Sequence, residues 1–123
     1  MDRRQFLASA ASGAAIAPAP QAFAVMGGAF LDHAVPGVGL TVNGPVREVR
    51  LYFDLGVLAA RVQVMSTTGA VIPASRPFID SSGQDVVTVR LGRRLGPGTY
   101  LVGWDVISVA GWPTSGTFRF TVS

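Results

Sequence analysis

Few side chains in this chain are equipped for chemistry. Its single histidine, His33, stands beside Asp32, and an imidazole nitrogen next to a carboxylate oxygen is a donor pair that a metal ion accepts. The same imidazole could instead hydrogen-bond at a strand end, since one histidine makes a thin site. There are no cysteines, which excludes thiolate metal centres and disulfide frameworks together. Met26 and Met65 offer soft thioether sulfur, but two scattered methionines fill gaps more readily than they chelate.

The same inventory argues against an enzyme. A hydrolytic triad needs a nucleophile, a base and an orienting acid, and His33 is the one imidazole on offer. Asp54, Asp80, Asp85 and Asp105 fall on different elements without the spacing of an acid/base pair. Gly-rich phosphate motifs are absent. What remains is a protein that acts by binding.

Net charge narrows the partner. The chain has 10 basic residues, all of them arginine, against 7 acidic ones, for a formal charge of +3. Asp2, Arg3 and Arg4 contribute one of those charges from a segment that should be removed, so the remainder has no strongly basic face. No arginines interleave with aromatics as a stacking platform requires, and a nucleic-acid partner is not expected. Arg90, Arg93 and Arg94 form a local cluster that reads either as a solvated strand end and turn or as a docking patch for an acidic partner.

The elements that position these groups follow from periodicity. Residues 1–24 have a basic start, an Ala-rich middle and Ala22-Phe23-Ala24, which is the pattern of a removable export signal. Arg3-Arg4 followed by Phe6-Leu7 resembles a twin-arginine signal, although an ordinary secretory leader also fits; either route ends outside the cytoplasm. The apolar part, interrupted by Pro18 and Pro20, is too short and mild to span a membrane. Residues 25–123 then form one domain.

Within that domain apolar residues alternate. Val49, Leu51 and Phe53 share one face, as do Val62 and Val64, Val87, Val89 and Leu91, Tyr100, Val102, Trp104 and Val106, and Phe118, Phe120 and Val122. Ala29–Val35 should form a first strand and Val71-Ile72, stopped by Pro73, a short edge strand. Residues 74–84 read as a loop. Ala110-Gly111-Trp112-Pro113 breaks the last two strands apart as a turn. About seven short strands between Gly/Pro turns, with no amphipathic helix after the leader, predict an all-β, Ig-like Greek-key β-sandwich.

The closing stretch is specific enough to compare. Pro97-Gly98-Thr99-Tyr100, Trp104, Ser108, Gly111, Gly116 and Phe118 to Val122, preceded by Phe30-Leu31-Asp32-His33-Ala34, Pro36, Gly39 and Arg47-Glu48-Val49-Arg50-Leu51 with Phe53, resemble the CopC family of periplasmic copper-resistance proteins. The resemblance covers most of the chain after the leader. It implies a seven-stranded Ig-like sandwich that binds copper or delivers it to a membrane copper-transport protein. It further implies a Cu(II) site made from an amino-terminal histidine with its free amine, and an aspartate and a histidine in the turn before the last strand.

Carried onto this chain, those three positions are Gly28, Ala110 and Trp112. Neither a hydrogen, a methyl group nor an indole N–H can coordinate an ion. His33 is then the one imidazole left to ligate, with Asp32 beside it. Trp112 and Pro113, on a turn, are candidates for partner contact, since aromatics on rigid loops anchor interfaces. Two functions stay open: an exported copper-binding or copper-delivering protein, and a CopC-like domain that binds no metal and serves as an extracytoplasmic interaction module.

Overall fold

The computed structural model describes residues 27–123. The expected export signal, residues 1–24, and the predicted start of the domain at residue 25 lie outside the described residues. In chain order the strands are β1 (Leu31–Val35), β2 (Thr41–Val42), β3 (Val46–Phe53), β4 (Val57–Ser66), β5 (Val71–Ile72), β6 (Phe78–Ile79), β7 (Val86–Leu95), β8 (Gly98–Ser108) and β9 (Pro113–Val122). They make two sheets, ordered β1-β3-β7-β6 and β2-β9-β8-β4-β5. The molecule is the β-sandwich that the alternation predicts.

Alternation sets which side chains meet between the sheets. Val49, Leu51 and Phe53 of β3, Val87 of β7, Tyr100, Val102, Trp104 and Val106 of β8, and Phe118, Phe120 and Val122 of β9 share one buried cluster. Each large side chain fully removed from water contributes roughly 1.5–3 kcal/mol. Trp104 meets Phe53 edge to face across the sandwich, with ring centroids 5.1 Å apart. Its indole also lies on Gly116 of the neighbouring strand, where an added Cβ would come within 2.7 Å of the ring. That close approach is why glycine stands at this position in β9.

The chain crosses from one sheet to the other at Gly96-Pro97, between β7 and β8. Tyr100 pins the crossing, its hydroxyl donating to the Gly96 carbonyl at 2.9 Å. This is a tyrosine corner, in which an aromatic at a strand start holds the chain a few residues upstream. The Pro-Gly-Thr-Tyr run is therefore a structural joint.

Nine strands replace the seven expected, and the two additions have only two residues each. Thr41–Val42 pairs parallel to the end of β9, and Phe78–Ile79 pairs with β7 inside the segment predicted as loop. Two-residue pairings have no periodicity to read and are made by the partner strand. β7 runs on to Leu95, so Arg93 and Arg94 belong to a strand and not to a turn. Val62 and Leu91 are only partly buried against the core.

Candidate functional site

Ser108, the last residue of β8, organises the end of the sandwich that carries the turn at residues 109–112. It is 0% exposed. Its hydroxyl donates to the Gly27 carbonyl and accepts from the backbone N–H groups of Ala110 and Trp112, each at 3.2 Å. The turn it controls closes with Ser108 N–H to the Trp112 carbonyl at 2.9 Å and Gly111 N–H to the Ser108 carbonyl at 2.8 Å. Gly111 has φ of 87°, a left-handed conformation that glycine adopts without a Cβ clash.

Residues 27–30 are stitched beside this turn. Thr114 donates its hydroxyl to the Ala29 carbonyl. Phe30 N–H reaches Asp54 Oδ1 at 2.8 Å, and Asp54 N–H returns to the Phe30 carbonyl at 3.0 Å. Gly27, Gly28 and Ala29 are buried. Trp112 lies directly on Gly27: a Cβ added there would run into the indole ring.

Gly27 and Trp112 thus meet at one end of the sandwich, with Gly28 next in the chain and Ala110 exposed in the same turn as Trp112. None of the three positions to which the resemblance carries a copper donor holds a ligating side chain. Hydrogen and methyl supply nothing, and the indole N–H is a donor only, so these three residues do not fit a copper ion. Among the described residues no group of three or more His, Cys, Asp or Glu side chains could hold a metal ion. Trp112 remains 43% exposed, and Ile107, Val109 and Leu58 are also exposed hydrophobics. Ile107 pairs with Pro113 and with Ala59, and Val109 N–H bonds the Gly56 carbonyl, so these apolar groups border one end of the molecule.

Asp32 and His33 belong to another surface, the outer face of the first sheet. Successive strand residues ordinarily point to opposite faces. Between Leu31 and His33, however, the β1–β3 register slips, pairing Leu31 with Phe53 and His33 with Tyr52. A bulge of this kind re-aims side chains. Asp32 Oδ2 and His33 Nδ1 are 2.7 Å apart, and the imidazole stacks on Tyr52 with centroids 4.2 Å apart and planes 9° from parallel. The row continues along β3, where Arg50 Nε donates to Glu48 Oε2 at 2.7 Å. Hydrogen bonds to Tyr52 and then Glu48 push the Arg50 pKa up.

The arginine cluster divides. Arg93 and Arg94 border a shallow hollow with Arg47, whereas Arg90 lines a separate groove of about 390 Å³ with Glu48, Arg50 and Phe78. Two roles were missed in the sequence. Ser108 is legible only as part of a spacing, and Gly27 carries no signal because its role is to lie flat beneath an indole.

Comparison with known proteins places the arrangement. The CopC domain model matches residues 31–123. Protein YobA of Escherichia coli K12 is 31% identical over 99 residues, covering 76% of this chain and 77% of its own length. CopC from Methylosinus trichosporium OB3b superposes with a TM-score of 0.71 at 25% identity, over 77% of this chain and 93% of that one. PcoC of Escherichia coli, a methionine-rich copper resistance protein, shares the fold with a TM-score of 0.70 at 20% identity, over 77% of this chain and 98% of its own. With the family's domain matched from the first strand to the last residue, this chain belongs to the CopC family.

Proposed function

We propose that this chain is an exported protein of copper handling in the periplasm, acting by binding without catalysis and serving a membrane copper-transport partner. The support for copper is membership of the CopC family and the likeness in fold to a copper resistance protein. The observation that carries the manner of action is Trp112 lying on Gly27, with Ala110 exposed in the same turn. The turn that elsewhere would present ligands here presents an aromatic ring and Pro113 to a partner. The leader, with its Ala22-Phe23-Ala24 cleavage pattern, supports export.

A second reading keeps the partner and drops the metal: an extracytoplasmic interaction module. It is favoured by the exposed apolar groups Leu58, Ile107, Val109 and Trp112 at one end of the sandwich. A deletion strain separates the two. Under the copper reading the strain changes its copper tolerance and its cell-envelope copper content, and the plasmid-borne gene restores both. Unchanged tolerance and content would leave the interaction module alone standing.

A further inference from the structure

We propose that the arginine end of the first sheet, with Arg47, Arg93 and Arg94 around one hollow, docks the domain on an anionic phospholipid surface by gripping lipid phosphates. The inference goes beyond the copper reading and does not depend on it.

A small net charge hides a segregation that strand pairing makes visible. β3 and β7 run antiparallel, with Tyr52 against Val86 at one end and Val46 against Leu95 at the other. Carboxylates gather at the Tyr52 end. There Phe53 N–H donates to the Asp85 carbonyl at 2.8 Å, Asp80 N–H donates to the Val86 carbonyl at 3.0 Å, and Asp54 Oδ1 accepts from Phe30 N–H. At the Val46 end stand Arg47, Arg90, Arg93 and Arg94, all exposed. The single acid on these two strands, Glu48, already accepts from Arg50 at 2.7 Å.

A bulge brings three of the arginines together. Between the pairs Glu48 with Arg90 and Val46 with Leu95 the register slips, so that one residue of β3, Arg47, stands against four of β7, Leu91 to Arg94. Strict alternation would send Arg93 and Arg94 to opposite faces, and a bulge re-aims side chains. Both line the same hollow of about 340 Å³ with Arg47, and no carboxylate lines it. Like charges crowded without a counter-charge repel one another. Among the described residues the side-chain ion pairs are Asp32 with His33 and Glu48 with Arg50, so none relieves this crowding. An external anion does, and guanidinium forks match phosphate oxygens two at a time.

The hollow is shallow and lies at the end of the sheet, which suits a flat surface more than a peptide laid along a groove. Arg47 and Asp54 are seven positions apart along an extended strand, roughly 23 Å at about 3.3 Å per residue. Screening acts over about 8 Å at physiological ionic strength. A negative plane met end-on therefore feels the arginines and not the aspartates, and the opposed ends align the domain before contact. Val109 N–H bonds the Gly56 carbonyl, so the Trp112 turn lies at the aspartate end and stays clear of the bilayer.

The test is flotation of the purified full chain with two kinds of vesicle, phosphatidylcholine alone and phosphatidylcholine with phosphatidylglycerol in equal parts. The inference expects binding to the anionic vesicles only, weakening as salt rises. Each arginine at such a surface strengthens binding about fivefold, so Arg93→Gln costs that factor and the triple change Arg47→Gln, Arg93→Gln and Arg94→Gln about 100-fold. Thermal melts stay unchanged, because all three side chains are exposed. Arg61→Gln, the same loss of charge on the other sheet, leaves the affinity as it was. Binding that survives the triple change belongs to residues 1–24, with their own Arg3 and Arg4, and overturns the inference. Equal weakening by Arg61→Gln overturns it too, since net charge alone would then suffice. A chain that ignores the anionic vesicles overturns it as well, whether it takes up inorganic phosphate, polyglutamate or neither.

Discussion

Replacing Ser108 with alanine removes one hydroxyl and three hydrogen bonds. The bond to the Gly27 carbonyl is buried, whereas those from Ala110 N–H and Trp112 N–H are partly so. A hydrogen bond contributes about 0.5–1.5 kcal/mol net, and a buried group left without a partner costs about 1–3 kcal/mol. Taking the upper part of the net range for the buried bond and the lower part for the other two gives about 2–3 kcal/mol. For a domain of this size that lowers the Tm by roughly 8–24 °C. The cavity is small, so lost polar contacts dominate over lost packing. Urea denaturation followed by tryptophan fluorescence measures the free energy, and a red shift of the native spectrum reports Trp112 lifting from Gly27. A loss below about 0.5 kcal/mol, within the range of ordinary surface substitutions, would falsify the assignment of Ser108 as the tie between the turn and residues 27–30.

Three further predictions concern packing, charge and the ligand positions. Gly116→Ala sets a Cβ 2.7 Å from the Trp104 ring and should cost about 1–3 kcal/mol by overpacking, whereas an unchanged denaturation midpoint would contradict the close contact. Asp80 is held below the ordinary aspartate range by the Ser82 hydroxyl and then by Gly83 N–H, so its contribution to stability is present above the unfolded-state pKa and lost as pH falls through the folded one; Ser82→Ala should move its carboxyl resonance titration upward by NMR, and an unmoved midpoint counts against that cause. Placing donors at those positions with the triple change Gly28→His, Ala110→Asp and Trp112→His, in a chain cut so that residue 28 carries the free amine, should create Cu(II) uptake visible as a new absorption band, and no band would mean that the three positions do not converge.

Much of the fold is legible in the alternation because burial between two sheets demands it. Tyr100, Val102, Trp104 and Val106 could not face the core together in any other register. The same logic fails for β2 and β6, whose two residues are ordered by β9 and β7. It also fails at Asp32 and His33: strict alternation sends neighbours to opposite faces, and only the slip against β3 brings their side chains within 2.7 Å.

The candidate site divides along the same line. Residue identity alone determined that Gly28, Ala110 and Trp112 bring no ligand, since coordination requires a lone pair that these side chains lack. Tertiary structure decided what stands there instead, because Gly27 and Trp112 are 85 positions apart and their contact is made by the fold. It also decided that His33 is stacked, oriented and exposed on an edge strand, a matter of partners from β3 that no local pattern encodes.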